Sequence, residues 1–193
     1  MHGRYRRTVL RLTSMLRQLE TERENTNLLV ALQRDLVCLI RSTEKRIVKL
    51  RAEAAKETAY LKGTRPSKDK ATQLKKRITL LNKRIEKEQY LKFIWKCFGD
   101  GIAFIYLDKF SLKHTFYSME DYSPKQDAGA LSGKEGFVLE WKAVKKVIKA
   151  GIPALLCDIT NILRHGDVCF LVGSDPLLVE MKSSRNTNKR TER

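Results

Sequence analysis

Cysteine is scarce in this chain, and what little there is does not pair. Cys38, Cys97, Cys157 and Cys169 form no C-x-x-C spacing, so neither a zinc framework nor a disulfide scaffold is expected. All four fall in apolar stretches and read as buried free thiols of a protein in a reducing cytoplasm. Long apolar runs are also missing. No stretch of about 18 uncharged apolar residues occurs, which argues against a transmembrane helix. The N-terminus, MHGRYRRTVLRL, is basic, but its charges interrupt any apolar signal core. Proline is absent from residues 5–62, and Gly3 is the only glycine before Gly63. Little in that stretch would break a helix.

Acidic residues are in short supply. The 193 residues carry 39 Lys/Arg against 22 Asp/Glu, a formal net charge of +17. Such an excess points to a polyanionic partner, nucleic acid before an anionic membrane. The imbalance is concentrated in residues 1–92, with 24 basic and 10 acidic side chains. A composition that is 42% hydrophobic supports a packed core and excludes wholesale disorder. Three regions follow: a basic helical hairpin over 1–92, an aromatic-rich helix and loop over 93–132, and a compact core over 133–193.

Apolar residues at Val9, Leu12, Leu16 and Leu19, then at Leu29, Leu32, Leu36, Leu39 and Ile40, have helical spacing. Asn25, Thr26 and Asn27 compete for their own backbone and could bend or restart the helix. Gly63 and Pro66 end it, and Ser67 can cap the next helix. Leu74, Ile78, Leu81 and Ile85 then form a short coiled-coil seam. The tight turn implies an antiparallel hairpin with Lys75, Lys76, Arg77, Lys83 and Arg84 outward, where they could contact phosphates. The hairpin could also pair with a second copy to form a homodimer.

Residues 91–117 read as a buried helix, interrupted or closely packed at Gly99-Asp100-Gly101, with the aromatics in the core. His114 reads as a surface or packing residue. A helix over about 135–149 follows, and residues 152–182 alternate β-rich runs with turns.

In HGDVCFLVGSDPLLVEMKSS, residues 165–184, charges sit at the ends of two apolar runs. A four-residue loop at Gly173–Pro176 would set Val172 opposite Leu177, Cys169 opposite Glu180 and Asp167 opposite Lys182. Asp167, Glu180 and Lys182 would then share one face. A loop longer or shorter by one residue would separate the acids. Two carboxylates on a rigid sheet suit Mg²⁺ or Mn²⁺, and an adjacent lysine can orient water or stabilise charge on phosphate.

Gly166-Asp167, followed by Val179-Glu180-Met181-Lys182-Ser183-Ser184, resembles the PD-(D/E)XK nuclease superfamily. The resemblance spans roughly residues 135–184. It implies metal binding by Asp167 and Glu180, assistance to the attacking water by Lys182, and an acid from the preceding helix. Glu140 is the first choice for that acid and Glu135 the second. It also implies an α/β core, a restriction-endonuclease-like mixed sheet flanked by helices, and cleavage of DNA or, less often, RNA. Only eleven residues follow Lys182, too few for the helix and strand that usually complete such a core. Either the chain is a fragment or the N-terminal helices cover the sheet. The alternatives to a nuclease are a non-catalytic nucleic-acid-binding module and a self-associating coiled-coil scaffold.

Overall fold

The computed structural model describes residues 3–64, 66–118, 120–125 and 129–181. Five helices are found among them: α1 (Gly3–Thr21), α2 (Thr26–Thr64), α3 (Lys68–Tyr106), α4 (Lys109–Phe116) and α5 (Phe137–Lys149). They accompany one small sheet of β1 (Ala154–Leu156), β2 (Val168–Phe170) and β3 (Leu177–Val179), in that spatial order. The protein is therefore mostly helical, with a minor β component.

The break between α1 and α2 falls at the polar stretch. Asn25 caps α2, its Oδ1 accepting from the Leu28 amide at 3.0 Å, and Glu22 accepts from Asn25 Nδ2 at 2.8 Å. Such capping satisfies amides that a helix start leaves without partners.

Helices α2 and α3, 39 residues each, form an antiparallel hairpin roughly 58 Å long at 1.5 Å per residue. Arg46 Nε meets Glu88 Oε2 at 2.9 Å, and Arg77 bridges Glu53 at 2.8 Å and Glu57 at 3.3 Å. These pairings match the antiparallel direction that the short link from Thr64 to Lys68 imposes. The base of the hairpin belongs to the main core. Leu29, Leu32, Leu36, Ile40, Trp95 and Ile102 are fully buried with Leu12 and Leu19 of α1. Nearer the tip the seam is thin, carried by Ala54 and Leu81. Residue 92 therefore lies inside an unbroken α3.

The helix also runs without interruption through Gly99-Asp100-Gly101, where close packing explains both glycines. A Cβ on Gly99 would lie 2.1 Å from the Ile159 carbonyl oxygen, and one on Gly101 would lie 2.6 Å from Leu16 Cδ2. Asp100, between them, accepts hydrogen bonds from the Asn161 amide (2.6 Å), Asn161 Nδ2 (2.7 Å) and the Ile162 amide (3.1 Å). It anchors the segment that follows β1 to α3.

Two expectations need correction. Trp95 is core, but Phe93, Phe104, Phe110 and Tyr117 are exposed, because α3 and α4 each bury only one face. Cys157 and Cys169 are buried free thiols, whereas Cys97 is half-buried and Cys38 exposed.

All three strands pair antiparallel, so the mixed sheet implied by the resemblance is not found among the described residues. One edge is closed by a helix. Buried Gln33 of α2 donates from Nε2 to the Ala154 carbonyl at 2.8 Å and accepts from the Leu156 amide at 3.0 Å. Its side-chain amide takes the place of a neighbouring strand beside β1, satisfying backbone groups that burial would otherwise leave unpaired. On the other side, β3 is an edge, and Leu177 is exposed.

The β2–β3 register also differs from the expected one. Phe170 faces Leu177, Cys169 faces Leu178 and Val168 faces Val179. The loop thus spans six residues, 171–176, and Cys169 does not face Glu180. Leu171 is drawn into the core, with its amide on the Pro153 carbonyl at 2.8 Å. The loop tip is tied to α4, where the Asp108 amide donates to Ser174 O and Ser111 Oγ donates to Asp175. The slip is an even number of residues, so the strands keep their faces. No helix among the described residues is long and apolar enough to cross a membrane.

Candidate functional site

The cluster of charge in the compact half is centred on a residue that the sequence did not single out. Lys134 Nζ lies 2.7 Å from Asp158 Oδ2, 2.8 Å from Asp167 Oδ1 and 3.0 Å from Glu140 Oε2. Three separate parts of the chain contribute the acids. Glu140 comes from the first turn of α5, Asp158 from the 3-10 turn Cys157–Ile159 after β1, and Asp167 from the residue before β2.

Each position is set locally. Lys134 sits in the loop ahead of α5, which is pinned by buried Leu131 and by the Ser132 amide on Glu44 Oε2 at 2.7 Å. Glu140 can approach because residue 136 is glycine; a Cβ there would lie 2.8 Å from Glu140 Oε1. Asp167 follows Gly166, whose φ of +67° suits glycine. A side chain at 166 would also press on Val179 O, 3.2 Å from a Cβ.

Asp167 is gripped by both neighbouring strands. Its carbonyl accepts from the Cys157 amide at 3.0 Å, and its amide donates to Val179 O at 2.9 Å. Its second carboxylate oxygen accepts from the Met181 amide at 2.7 Å. Asp167 therefore holds the residues on either side of Glu180. Glu180 itself is exposed and makes no ion pair with a described residue. Lys182 lies outside the described residues. Glu135, the second choice for the helical acid, is exposed, whereas Glu140, the first choice, is brought to Asp167 through Lys134.

The electrostatics follow from burial and neighbours. Burial opposes the charge of Lys134, but its hydrogen bonds to Asp158 and Asp167 and its ion pair with Glu140 outweigh this and raise its pKa. Burial pushes the Glu140 carboxyl up; Lys134 offsets this in part, and Asp167 and Asp158 add to it. At Asp167 burial is again the largest single influence. It is overcome by Lys134 and the Met181 amide, which hold the carboxyl below its usual range. Although Glu140 Oε2 is within ion-pair distance of Lys134, it is buried and receives no hydrogen bond. The contact is one of charge without hydrogen-bond geometry.

Three carboxylates and one ammonium leave this pocket two negative charges in excess when all are ionised. Among the described residues no three acid, histidine or cysteine side chains close on one another as a ready-made metal cage, because the Lys134 ammonium stands between the acids. The donors are nonetheless hard oxygens gathered around a cation, and one of them lacks a hydrogen bond. Oxygen donors are the class that Mg²⁺ and Mn²⁺ prefer, and here the Lys134 ammonium occupies the point where they converge.

The proposed phosphate-contacting residues divide into two groups. Lys75, Lys76, Lys83 and Arg84 are exposed on α3. Arg77 is engaged by Glu53 and Glu57 of α2, which makes it part of the hairpin seam.

Asp158 and Lys134 could not be found from motif spacing. Asp158 carries no alternation signal because it lies in a turn, and Lys134 is one lysine among many. Comparison with family models, with curated proteins and with solved structures returns no match.

Proposed function

We propose that this chain is a metal-dependent nuclease that hydrolyses phosphodiester bonds, with DNA as its substrate. The observation that carries the reading is the convergence of Glu140, Asp158 and Asp167 on one cationic atom, in a chain whose net charge is +17. A local excess of negative charge in so basic a protein calls for a cation, and the surrounding excess of positive charge calls for a polyanion.

Glu140, Asp158 and Asp167 would hold Mg²⁺ or Mn²⁺, with Glu180 contributing from the end of β3. The ion would polarise the phosphodiester and lower the pKa of the attacking water. Lys134, relieved of the acids, would be free to meet the phosphate as a point charge. The resemblance gives Lys182 the task of orienting the water. The exposed Lys75, Lys76, Lys83 and Arg84 would track the backbone by neutralising phosphates.

The second reading is a non-catalytic nucleic-acid-binding or scaffold protein. Lys134 itself favours it, because an internal ammonium already partners the acids. Cleavage of supercoiled plasmid, single-stranded DNA and RNA in Mg²⁺ or Mn²⁺, and in chelator, separates the two. Metal-dependent cutting of DNA that is lost in Asp167→Asn and in Lys182→Ala supports the nuclease. Intact binding with no cutting in either metal would replace it with the binding module.

A further inference from the structure

Along α4 and the turn that follows it lies an open groove of about 600 Å³. Phe110, Lys113, His114, Tyr117 and Tyr122 line it. Phe110 is 72% exposed and Tyr122 is 77% exposed. Rings this far out of the core leave apolar surface open to a partner, while Tyr117 also packs edge-on against Phe116 at 4.8 Å between ring centres.

The rings are presented by built structure. Phe110 stands on the first turn of α4, which Asp108 caps by accepting from the Phe110 amide at 2.8 Å and the Ser111 amide at 3.2 Å. Tyr122 sits at the tip of a tight turn. Tyr117 pairs with Pro124, the Ser118 amide donates to Ser123 O at 2.9 Å, and the Lys125 amide donates to Phe116 O at 2.9 Å. Tyr122 has a φ of +53°, the one non-glycine residue with positive φ among those described. That conformation is uncommon and costly for a tyrosine.

The charges flanking the rings suit an anion. Lys113 Nζ lies 5.0 Å from the Phe110 ring centre, and Lys125 Nζ reaches the His114 carbonyl at 2.8 Å. Of the nearby acids, Asp108 is occupied by the α4 amides, Asp175 by the Ser111 hydroxyl and Asp121 by the Ser123 amide and hydroxyl at 3.0 and 2.8 Å, and Glu120 is exposed. His114 lines both the groove and a neighbouring hollow formed with His165 and Leu178. In the sequence, His165 is two residues from Asp167.

We propose that this groove seats an unpaired strand of the DNA substrate. Phe110, Tyr117 and Tyr122 stack on exposed base faces, and Lys113 and His114 flank the phosphates. A duplex buries its base faces in its own stack, so it cannot use the rings. Aromatic platforms interleaved with cations are how single strands are held without sequence preference. The proposal rests on the nuclease reading for its partner and names the substrate as DNA with a single-stranded segment.

The test is binding of the full chain, in chelator, to fluorescent single-stranded DNA, duplex DNA and single-stranded RNA of one sequence. The double variant Phe110→Ala/Tyr122→Ala should weaken single-stranded DNA binding by about 30-fold, from the loss of two stacking platforms. Duplex binding should stay within about twofold, since the exposed lysines of α3 carry it. Both side chains are exposed, and an unchanged melting temperature verifies the fold. Tyr122→Trp, which keeps a ring, should retain binding. Unchanged single-strand affinity in the double variant, or equal loss for single strand and duplex, would overturn the groove. A preference for RNA would overturn its assignment to DNA. Because no metal is present, these outcomes are independent of cleavage. Metal-dependent cutting that persists beside a failed binding result would leave the nuclease standing without this groove.

Discussion

Lys134 Nζ stands 2.8 Å from Asp167 Oδ1, while the other oxygen of the same carboxylate accepts the Met181 amide at 2.7 Å. One aspartate thus joins the loop ahead of α5 to the end of β3, on either side of which the remaining charges are arranged.

Replacing Lys134 with methionine should have two opposite effects. Without metal, Glu140, Asp158 and Asp167 lose their shared cation. Since the Lys134 side chain is 28% exposed, the loss should be below that of a fully buried pair, about 1–3 kcal/mol. With the ammonium gone, Mn²⁺ should bind more tightly and raise the melting temperature by more than in the parent. Thermal denaturation with and without Mn²⁺ measures both.

Glu140 and Asp167 should contribute to stability with opposite pH dependence. The Glu140 carboxyl is raised by burial. It holds its proton more tightly when folded, so its contribution is full below its unfolded pKa and is lost as pH rises through the folded one. Asp167 is lowered; its contribution is present above its unfolded pKa and is lost as pH falls through the folded one. Glu140→Gln removes the ionisation while keeping the shape. It should therefore raise the melting temperature at pH 7 relative to the parent, with the advantage shrinking toward pH 4. A larger advantage at pH 4 than at pH 7 would contradict the assignment.

Gln33→Leu should destabilise the fold although leucine suits a buried site. It would leave the Ala154 carbonyl and the Leu156 amide without partners in the core. At roughly 1–3 kcal/mol for an unsatisfied buried group, a drop in the urea midpoint should be plain. Gln33→Glu, which can still accept from Leu156 but cannot donate to Ala154, should also be destabilised.

Two glycine substitutions should part company. Gly99→Ala places a methyl 2.1 Å from the Ile159 oxygen, so α3 and the 3-10 turn must separate, at a cost of about 1–3 kcal/mol or more. Gly63→Ala, in the last turn of α2 with nothing within 4 Å, should be neutral or stabilising by up to about 1 kcal/mol through helix propensity. Urea denaturation of the two variants checks the contrast.

Along α3, charge removal should separate binding from folding. Lys75→Ala, Lys76→Ala, Lys83→Ala and Arg84→Ala should each reduce the salt dependence of duplex binding by up to about one unit of slope where the residue meets a phosphate. Arg77→Ala should instead loosen the hairpin, since Arg77 pairs with Glu53 and Glu57. Affinity measured at several salt concentrations, beside the helical melting curve, separates the two effects.

Much of the helical frame was legible because it is written in local terms. Leu29, Leu32 and Leu36 repeat at helical spacing, Asn25 caps, and Gly63 and Pro66 stop. Each signal acts within a few residues. The exposed aromatics were less legible, since composition tells how apolar a segment is but not which face of α3 or α4 finds a partner. The site was legible in part. Asp167 stood out by its place beside a strand, and Glu140 through the resemblance, which implies an acid on the preceding helix. Asp158 and Lys134 come from irregular segments whose positions depend on what packs around them.

By itself the sequence determined the long basic hairpin, its turn, the order of helix and strands in the second half, and the large positive charge. Those follow from residue spacing, turn chemistry and ionisation, all of which act locally or by simple count. Tertiary structure alone decided that α2 closes the β1 edge through Gln33 and that the β2–β3 loop spans six residues. It alone decided that three acids meet on Lys134. Each of these depends on groups far apart in the chain competing for the same hydrogen bonds, space and charge. Only packing settles which of them meet.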